Sequence, residues 1–149
     1  MGRMYSVPFS GITVSAAQDL IRVSAPSTAV VVVHSVSITQ DTDETSQQLP
    51  FQIHRASTDG SGGSAVTPTP LLVGDPAFAG TAARNNTTRA TAGVVIRRRS
   101  ENLLNGVHWV FTPEERIVIP PSGRVVVGLE TAPAAGLPFS GEMIIEEIG

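Results

Sequence analysis

The segment from Glu115 to Glu130, with the sequence ERIVIPPSGRVVVGLE, contains two stretches of alternating side chains with a turn between them. Ile117 and Ile119 are two positions apart, and the residues Pro-Pro-Ser-Gly at 120–123 turn the chain. Side chains in a β-strand point alternately to the two faces of its sheet. The pattern predicts two strands, each with one face buried against a core.

The same alternation extends beyond this segment and separates a buried set of side chains from an outward set. The outward set includes Arg124, Val126 and Glu130, which show no arrangement suited to chemistry. We therefore expect this part of the chain to supply core and surface shape. The predicted buried set comprises Val107, Trp109, Phe111, Ile117, Ile119, Val125, Val127 and Leu129.

An earlier segment, Ala29 to Thr39, is predicted to be a central strand because it is rich in β-branched side chains. Strict alternation places four residues on its core face: Val30, Val32, Val36 and Ile38. Val31 and Val33 then fall on the opposite face. Together with the outward Val126, they are candidates for contact with another protein surface.

The whole chain of 149 residues is predicted to form one all-β domain. Its short strands and long connections favour an antiparallel, jelly-roll-like β-sandwich of eight or nine strands with no substantial helix. Residues 1–6 are predicted to be a flexible N-terminal arm. Residues 57–91, rich in Gly, Ser, Thr and Pro, are predicted to be a long irregular excursion with one short strand. Loops of this length are often functional, so we expect both segments to contact a partner.

The composition excludes several kinds of site and partner. The chain has 0 cysteines, which rules out disulfides and thiolate chemistry and fits a reducing cytosol or a particle assembled there. Its net charge of −3 gives no general attraction to nucleic acid. No apolar run has the length of a membrane span. Every basic residue apart from histidine is arginine, which suits either codon bias or a protein interface.

A search for reactive motifs finds none with the required context. The segment Gly60–Ala65 resembles a dinucleotide-binding loop only loosely, because no helix follows it. The three histidines fall on separate predicted strands, with His54 and His108 at outward positions. His34 takes the apolar position of its strand, where a buried, hydrogen-bonded histidine is expected. We predict no enzyme activity, no cofactor and no metal site.

The densest charge in the chain is the run Arg97, Arg98 and Arg99. It is consistent with a strand end facing water, or with docking on an acidic partner through arginine–carboxylate pairs. It is also consistent with contact to phosphates of a nucleic acid. Nucleic-acid sites usually add stacking aromatic residues, whereas Trp109 is predicted to face the core.

Four segments resemble small structural proteins of tailed bacteriophages. They are Tyr5–Leu20 (YSVPFSGITVSAAQDL), 60–70 (GSGGSAVTPTP), 85–88 (NNTT) and 139–148 (FSGEMIIEEI). On these segments the chain is similar to capsid decoration, or cement, proteins of the jelly-roll type. The resemblance implies a homotrimer on the outer surface of an icosahedral virion, assembled in the host cytoplasm, with the major capsid protein as its partner. It implies no direct contact with nucleic acid or membrane and supplies no catalytic residues.

The function expected from the residues and the resemblance together is non-covalent clamping of adjacent major capsid subunits. Two alternatives remain open. One is a tail or fibre jelly-roll module that binds a host receptor or carbohydrate, and the other is an enzyme on a cupin-like barrel. The residues expected to contact a partner are Arg3, Tyr5, Phe78, Arg97, Arg98 and Arg99.

Overall fold

The computed structural model describes residues 2–42 and 46–149 and consists mostly of β-strands. The only helical element in these ranges is a three-residue 3-10 turn at Pro113–Glu115. No helix long and apolar enough to cross a membrane occurs in them. The strands are β1 (Arg3–Val14), β2 (Asp19–Ser24), β3 (Val30–Gln40), β4 (Gln48–Ala56), β5 (Ser64–Val66), β6 (Thr69–Pro70), β7 (Thr81–Asn86), β8 (Ala92–Asn102), β9 (Val107–Val110), β10 (Ile117–Ile119), β11 (Arg124–Leu129) and β12 (Leu137–Ile148).

The strands form two antiparallel six-stranded sheets that pack as a β-sandwich. Sheet A has the order β10-β3-β12-β1-β6, with β9 also paired to β3, and sheet B has the order β5-β7-β2-β11-β4-β8. The first strand pairs with the last, and β2 pairs with the next-to-last strand β11. The chain thus runs as a long double ribbon rolled into two sheets, which is the jelly-roll connection. The predicted all-β antiparallel sandwich is confirmed.

The inner faces of the two sheets meet in a core of aliphatic and aromatic side chains. Phe51 of sheet B and Phe139 of sheet A meet edge to face, with ring centroids 6.5 Å apart. Removal of this apolar surface from water is the main driving force for folding. The buried set predicted between positions 107 and 129 is confirmed in full: Val107, Trp109, Phe111, Ile117, Ile119, Val125, Val127 and Leu129.

The alternation predicted for the first half of β3 is wrong. The pairing of β12 with β3 skips His34, which is the extra residue of a β-bulge. Because one extra residue shifts the alternation by one position, the strand changes parity there. Val31 and Val33, predicted to face outward, are fully buried, whereas Val30 and Val32 take positions on the outer face.

The N-terminal residues 1–6, predicted to be a flexible arm, are mostly part of a strand. Met1 lies outside the described residues, and β1 begins at Arg3. From there the strand pairs with β12, and Tyr5 and Ser6 also pair with β6 on the other side. Backbone hydrogen bonds on both edges and complete burial of the Tyr5 side chain hold the segment in the sheet. The prediction of an arm is therefore wrong for the residues from Arg3 onward.

The excursion predicted over residues 57–91 contains three strands, where the sequence predicts one. Strands β5 and β7 extend sheet B beyond β2, and β6 pairs with β1 at the edge of sheet A. These three strands raise the total to twelve, above the predicted eight or nine. Strands β5 and β6, three and two residues long, are too short for alternation to be visible in a sequence. They are fixed by the strands with which they pair.

The two ends of this excursion fold back over the outer face of sheet B. We call residues 57–61 and 87–91 the strap. Its two halves are joined by reciprocal backbone hydrogen bonds between Ser61 and Thr88, each 3.0 Å long. Gly60 has a φ of +68°, and a Cβ there would lie 2.7 Å from the Thr88 carbonyl oxygen. Glycine is needed at this position for close backbone approach, which explains part of the composition that predicted a linker.

Candidate functional site

On the outer face of sheet A, two rows of side chains cross the strands, and some members of each row are apolar. Residues directly opposite each other in antiparallel strands project to the same face. One row contains Met4, Glu146, Val32 and Val118, and the next contains Ser6, Ile144, Ser35 and Val110. We call the apolar members of these rows on β3, β9, β10 and β12, together with Ile148 at the end of β12, the apolar face, which comprises Val32, Val110, Val118, Ile144 and Ile148.

Three side chains of the apolar face are well exposed to water. Val110 keeps 66% of its accessible surface, Val118 keeps 47% and Ile148 keeps 46%. Each Å² of apolar surface left in water forgoes about 25 cal/mol of stabilisation. Apolar side chains grouped in this way on a surface commonly mark a site of contact with another protein.

A pocket of about 460 Å³ adjoins the apolar face on the β1 side of sheet A. This volume lies within the range typical of ligand and side-chain sites. Met4, Leu71 and Leu72 form apolar walls, whereas three other lining residues carry polar side chains. The complete lining consists of Gly2, Met4, His34, Leu71, Leu72, Asp75 and Glu146.

The pocket wall formed by Leu71 and Leu72 is held against β1 by two hydrogen bonds. The Leu71 N–H donates to the Met4 carbonyl oxygen at 2.8 Å, and the Tyr5 hydroxyl donates to the Pro76 carbonyl oxygen at 3.1 Å. The Phe78 ring packs on the Tyr5 ring, with centroids 5.4 Å apart. Because Tyr5 is fully buried, it positions the wall and does not present a surface to a partner.

The Tyr5 hydroxyl provides a direct test of this arrangement. Tyr5→Phe should lower the free energy of unfolding by about 1 kcal/mol, because one hydrogen bond is lost while the ring stays in place. Hydrogen exchange at the Leu71 amide should become faster as the wall loosens. Ser6→Ala, which removes a hydroxyl whose hydrogen bond to Glu142 Oε2, 3.3 Å long, lies in an exposed position, should lower the free energy of unfolding by less than about 0.5 kcal/mol and leave the Leu71 exchange rate unchanged. An unchanged Leu71 exchange rate in Tyr5→Phe would contradict the positioning role.

The floor of the pocket is a hydrogen-bonded histidine–glutamate pair. His34 Nε2 lies 2.9 Å from Glu146 Oε2, and the Gly2 N–H donates to Glu146 Oε1 at 3.0 Å. These contacts engage both carboxylate oxygens of Glu146. His34 is hydrogen-bonded as predicted, but the bulge places it on the outer face, only partly buried, and outside the core.

The outer face of sheet B, in contrast, is covered by the strap. The Ala90 N–H donates to Asp19 Oδ2 at 2.6 Å, and Arg124 Nε donates to Asp59 Oδ1 at 2.6 Å. Val126 projects to this outer face, as its parity predicts, yet it is fully buried. It is therefore not a surface for contact between subunits.

A cluster of polar side chains lies on this covered face. The Gln52 amide donates to Glu130 Oε1 and accepts from Arg89 Nη2, each at 2.7 Å. Arg89 Nε lies 3.5 Å from Asp19 Oδ1. His54 has the predicted outward parity but is fully buried, and neither ring nitrogen has a hydrogen-bond partner in the described part of the chain.

Burial shifts the titration of both ionisable groups at the centre of this cluster. It raises the pKa of Asp19, an effect opposed by the Ala90 N–H and by Arg89. It lowers the pKa of His54, an effect opposed by the Asp19 carboxylate. Both directions follow because a low-dielectric environment disfavours the charged form of each group.

We expect His54 to make the protein less stable as the pH falls below 6.5. The unfolded chain takes up a proton near the ordinary histidine pKa of 6.5, whereas the folded chain takes it up only at lower pH. The free energy of unfolding that depends on neutral His54 is present in full above pH 6.5. It is lost as the pH falls through the pKa of His54 in the folded protein, with a slope of at most about 1.4 kcal/mol per pH unit. Asp19 acts in the opposite sense, because its raised pKa favours the folded state when the carboxyl is protonated.

Denaturation curves between about pH 5 and pH 7.5 measure this dependence. His54→Leu should remain folded and lose the His54 part of the slope, since leucine has a similar volume and does not titrate. His108→Leu is the matched control because His108 is exposed, and it should keep the wild-type slope. The same slope in all three proteins would contradict the assignment to His54.

The run of arginines at 97–99 on β8 contacts carboxylates of its own chain. Such partly exposed pairs add little stability, but they compensate the positive charge locally. Docking of the run on an acidic partner stays a prediction, and it would have to compete with these carboxylates. The pairs are Arg97 with Glu115 at 3.0 Å, Arg98 with Glu130 at 2.6 Å, and Arg99 with Glu101.

The six predicted contact residues therefore lie in two separate places. Arg3, Tyr5 and Phe78 are near the pocket, with Arg3 opposite Glu147 on β12. The three arginines lie on β8, at the edge of sheet B. Sequence reasoning did not identify the exposed Val110 and Val118 as candidates. The alternation pattern did contain this information, because the inward positions of the neighbouring Trp109 and Ile117 place both valines on the outer face.

The chemical options of the site are limited by its side chains. In residues 2–42 and 46–149, no three His, Asp or Glu side chains are grouped so that they could hold a metal ion.

The comparisons with protein-family models, curated proteins and solved structures found no match to this chain. The resemblance to capsid decoration proteins thus stays a prediction that rests on the four sequence segments.

Proposed function

We propose that this chain is a virion structural protein that decorates and stabilises an icosahedral phage capsid. It would act as a homotrimer on the outer capsid surface, where it clamps adjacent major capsid subunits without covalent chemistry. The observation that carries the proposal is the apolar face, a group of aliphatic side chains on the outer face of a hydrogen-bonded sheet, three of which are well exposed. The sequence resemblance supplies the capsid as the setting.

The position of the apolar face suits contact between copies of the chain. Strands β9 and β10 lie at the edge of sheet A, so Val110 and Val118 are close to the side of the molecule. A ring of three copies requires a patch near the side of each subunit that meets a different patch on the next one. Burial of these aliphatic side chains would recover the hydrophobic free energy that they forgo in the monomer.

A trimer of this kind stabilises a shell by mass action. It binds the assembled lattice more tightly than free capsid subunits, and this difference favours the assembled state. Three equivalent contacts on one trimer also raise the effective concentration of each contact once the first has formed. Clamping therefore requires surface complementarity and no reactive group.

The aromatic side chains give the tail-fibre alternative no specific support. Carbohydrate sites commonly stack sugars on exposed aromatic rings, which combine an apolar surface with a polar edge. Six of the seven aromatic residues are buried, and Phe78 is half-buried against Tyr5. Loss of glycan binding on Phe78→Ala, if a glycan screen found any binding, would favour that alternative.

The composition of purified particles tests the proposal. Quantitative mass spectrometry of particles from cells that produce this chain should find it in many copies per shell, in a fixed ratio to the major capsid protein. Stripping it from the particles should lower the temperature at which the shell opens. Its absence from particles, or its presence in only the few copies expected of a tail component, would contradict the proposal.

A further inference from the structure

We propose that the pocket beside the apolar face receives an arginine side chain, flanked by an apolar residue, from the neighbouring copy of the chain that covers this face. Asp75 is the residue that recognises its charge. The inference rests on the proposed function only in taking the partner to be a neighbouring protein subunit. The recognition itself follows from the walls, the carboxylates and the location of the pocket.

The walls fit the aliphatic part of such a side chain. Leu71 and Leu72 keep 55% and 65% of their accessible surface, and Met4 faces them from β1. Lysine and arginine bury their methylene stems on apolar surface while the charged end reaches a polar partner. A volume of about 460 Å³ accommodates a long side chain together with an apolar neighbour.

The carboxylates supply the complementary charge. Both oxygens of Glu146 are engaged by His34 and Gly2, whereas Asp75 has no ion pair within residues 2–42 and 46–149. An incoming guanidinium or ammonium group at Asp75 would form a charge-assisted hydrogen bond. A carboxylate or phosphate ligand would instead meet two carboxylates in the same pocket. The charge of the pocket therefore selects a cation.

The location of the pocket favours a protein as the source of this cation. Glu146 lies on the pocket floor and is also directly opposite Val32 of the apolar face. A protein surface seated on the apolar face would pass over the mouth of the pocket and could insert a side chain there. Such a side chain would fix the orientation of the partner, which the apolar contacts alone leave loosely determined.

A titration with two small probes tests the assignment. Backbone amide shifts of the full chain, carrying Val110→Glu and Val118→Glu so that it is monomeric and its pocket is open, would be followed by NMR during addition of N-acetyl-leucyl-arginine amide, and separately of its neutral citrulline counterpart. The arginine probe should shift the amides of Met4, Leu71, Leu72 and Asp75 and should bind at least about tenfold more tightly than the citrulline probe. Asp75→Asn should abolish this preference. Glu142→Gln, which neutralises an exposed carboxylate on the same sheet, should retain it.

Equal affinity for the two probes would overturn the proposal. Binding of the arginine probe at acidic residues away from the pocket, without shifts at Leu71 and Leu72, would overturn it as well. The titration uses no virus particles, so a negative result leaves the decoration role untouched. Conversely, if the protein were absent from particles, the charge preference measured for the pocket would still stand.

Discussion

Asp19→Ala should lower the free energy of unfolding by about 3 kcal/mol, because it removes a buried carboxylate that both accepts a backbone hydrogen bond and pairs with an arginine. Asp19 is 1% exposed, and its Oδ2 accepts from the Ala90 N–H at 2.6 Å. Alanine would leave that N–H without its acceptor and would remove the carboxylate beside the Arg89 guanidinium, which would keep only its contact with Gln52. The strap would be the first part of the molecule to loosen, which urea denaturation combined with hydrogen exchange at Ala90 can detect.

Two further variants separate the charge of Asp19 from its hydrogen bond. Asp19→Asn retains an oxygen that can accept from Ala90 and should cost less than the alanine variant. Glu114→Ala, at an exposed position in the 3-10 turn, should change the free energy of unfolding by less than about 0.5 kcal/mol. Equal stabilities of Asp19→Ala and Glu114→Ala would show that the strap does not depend on this contact.

The double substitution Val110→Glu and Val118→Glu should convert a trimer in solution into a monomer. Each glutamate would place a charge in the apolar contact, where it would have to lose water without gaining a partner. Both valines are exposed in the single chain, so the two substitutions together should lower its free energy of unfolding by no more than about 1 kcal/mol. Light scattering coupled to gel filtration measures the change in mass.

Strand β8 offers a closely matched control for this experiment. Val94 is 64% exposed and Val95 is 46% exposed, almost the same as Val110 at 66% and Val118 at 47%. The double substitution Val94→Glu and Val95→Glu thus adds the same charge at similar exposure on sheet B, and it should leave the trimer intact. Dissociation by both double variants, or a wild-type protein that is monomeric at all concentrations, would contradict a role of the apolar face in self-association.

The sequence is sufficient to predict the fold wherever strands alternate without interruption. Trp109, Ile117 and Leu129 are buried as their parity requires, because β9, β10 and β11 contain no extra residue. The prediction fails at His34, where one unpaired residue reverses the parity of Val31 and Val33. A bulge depends on pairing with a distant strand, so local periodicity does not reveal it.

The candidate site was harder to predict than the fold, for two physical reasons. The pocket joins Met4 to Leu71 and Glu146, which are distant in sequence and meet only through the register of β1 with β6 and β12. The outward parity of His54 suggested exposure, but the strap covers that face. A glycine- and serine-rich segment carries no periodic signal that would indicate packing over a sheet.

The location of the protein on purified particles tests the central claim most directly. A cryo-electron microscopy reconstruction should show a trimeric jelly roll at the threefold positions of the outer capsid surface, in many copies. In each copy the apolar face of Val110 and Val118 should be buried against a neighbouring subunit. A reconstruction that placed the protein only in the tail, or that left the apolar face open to solvent, would contradict the account.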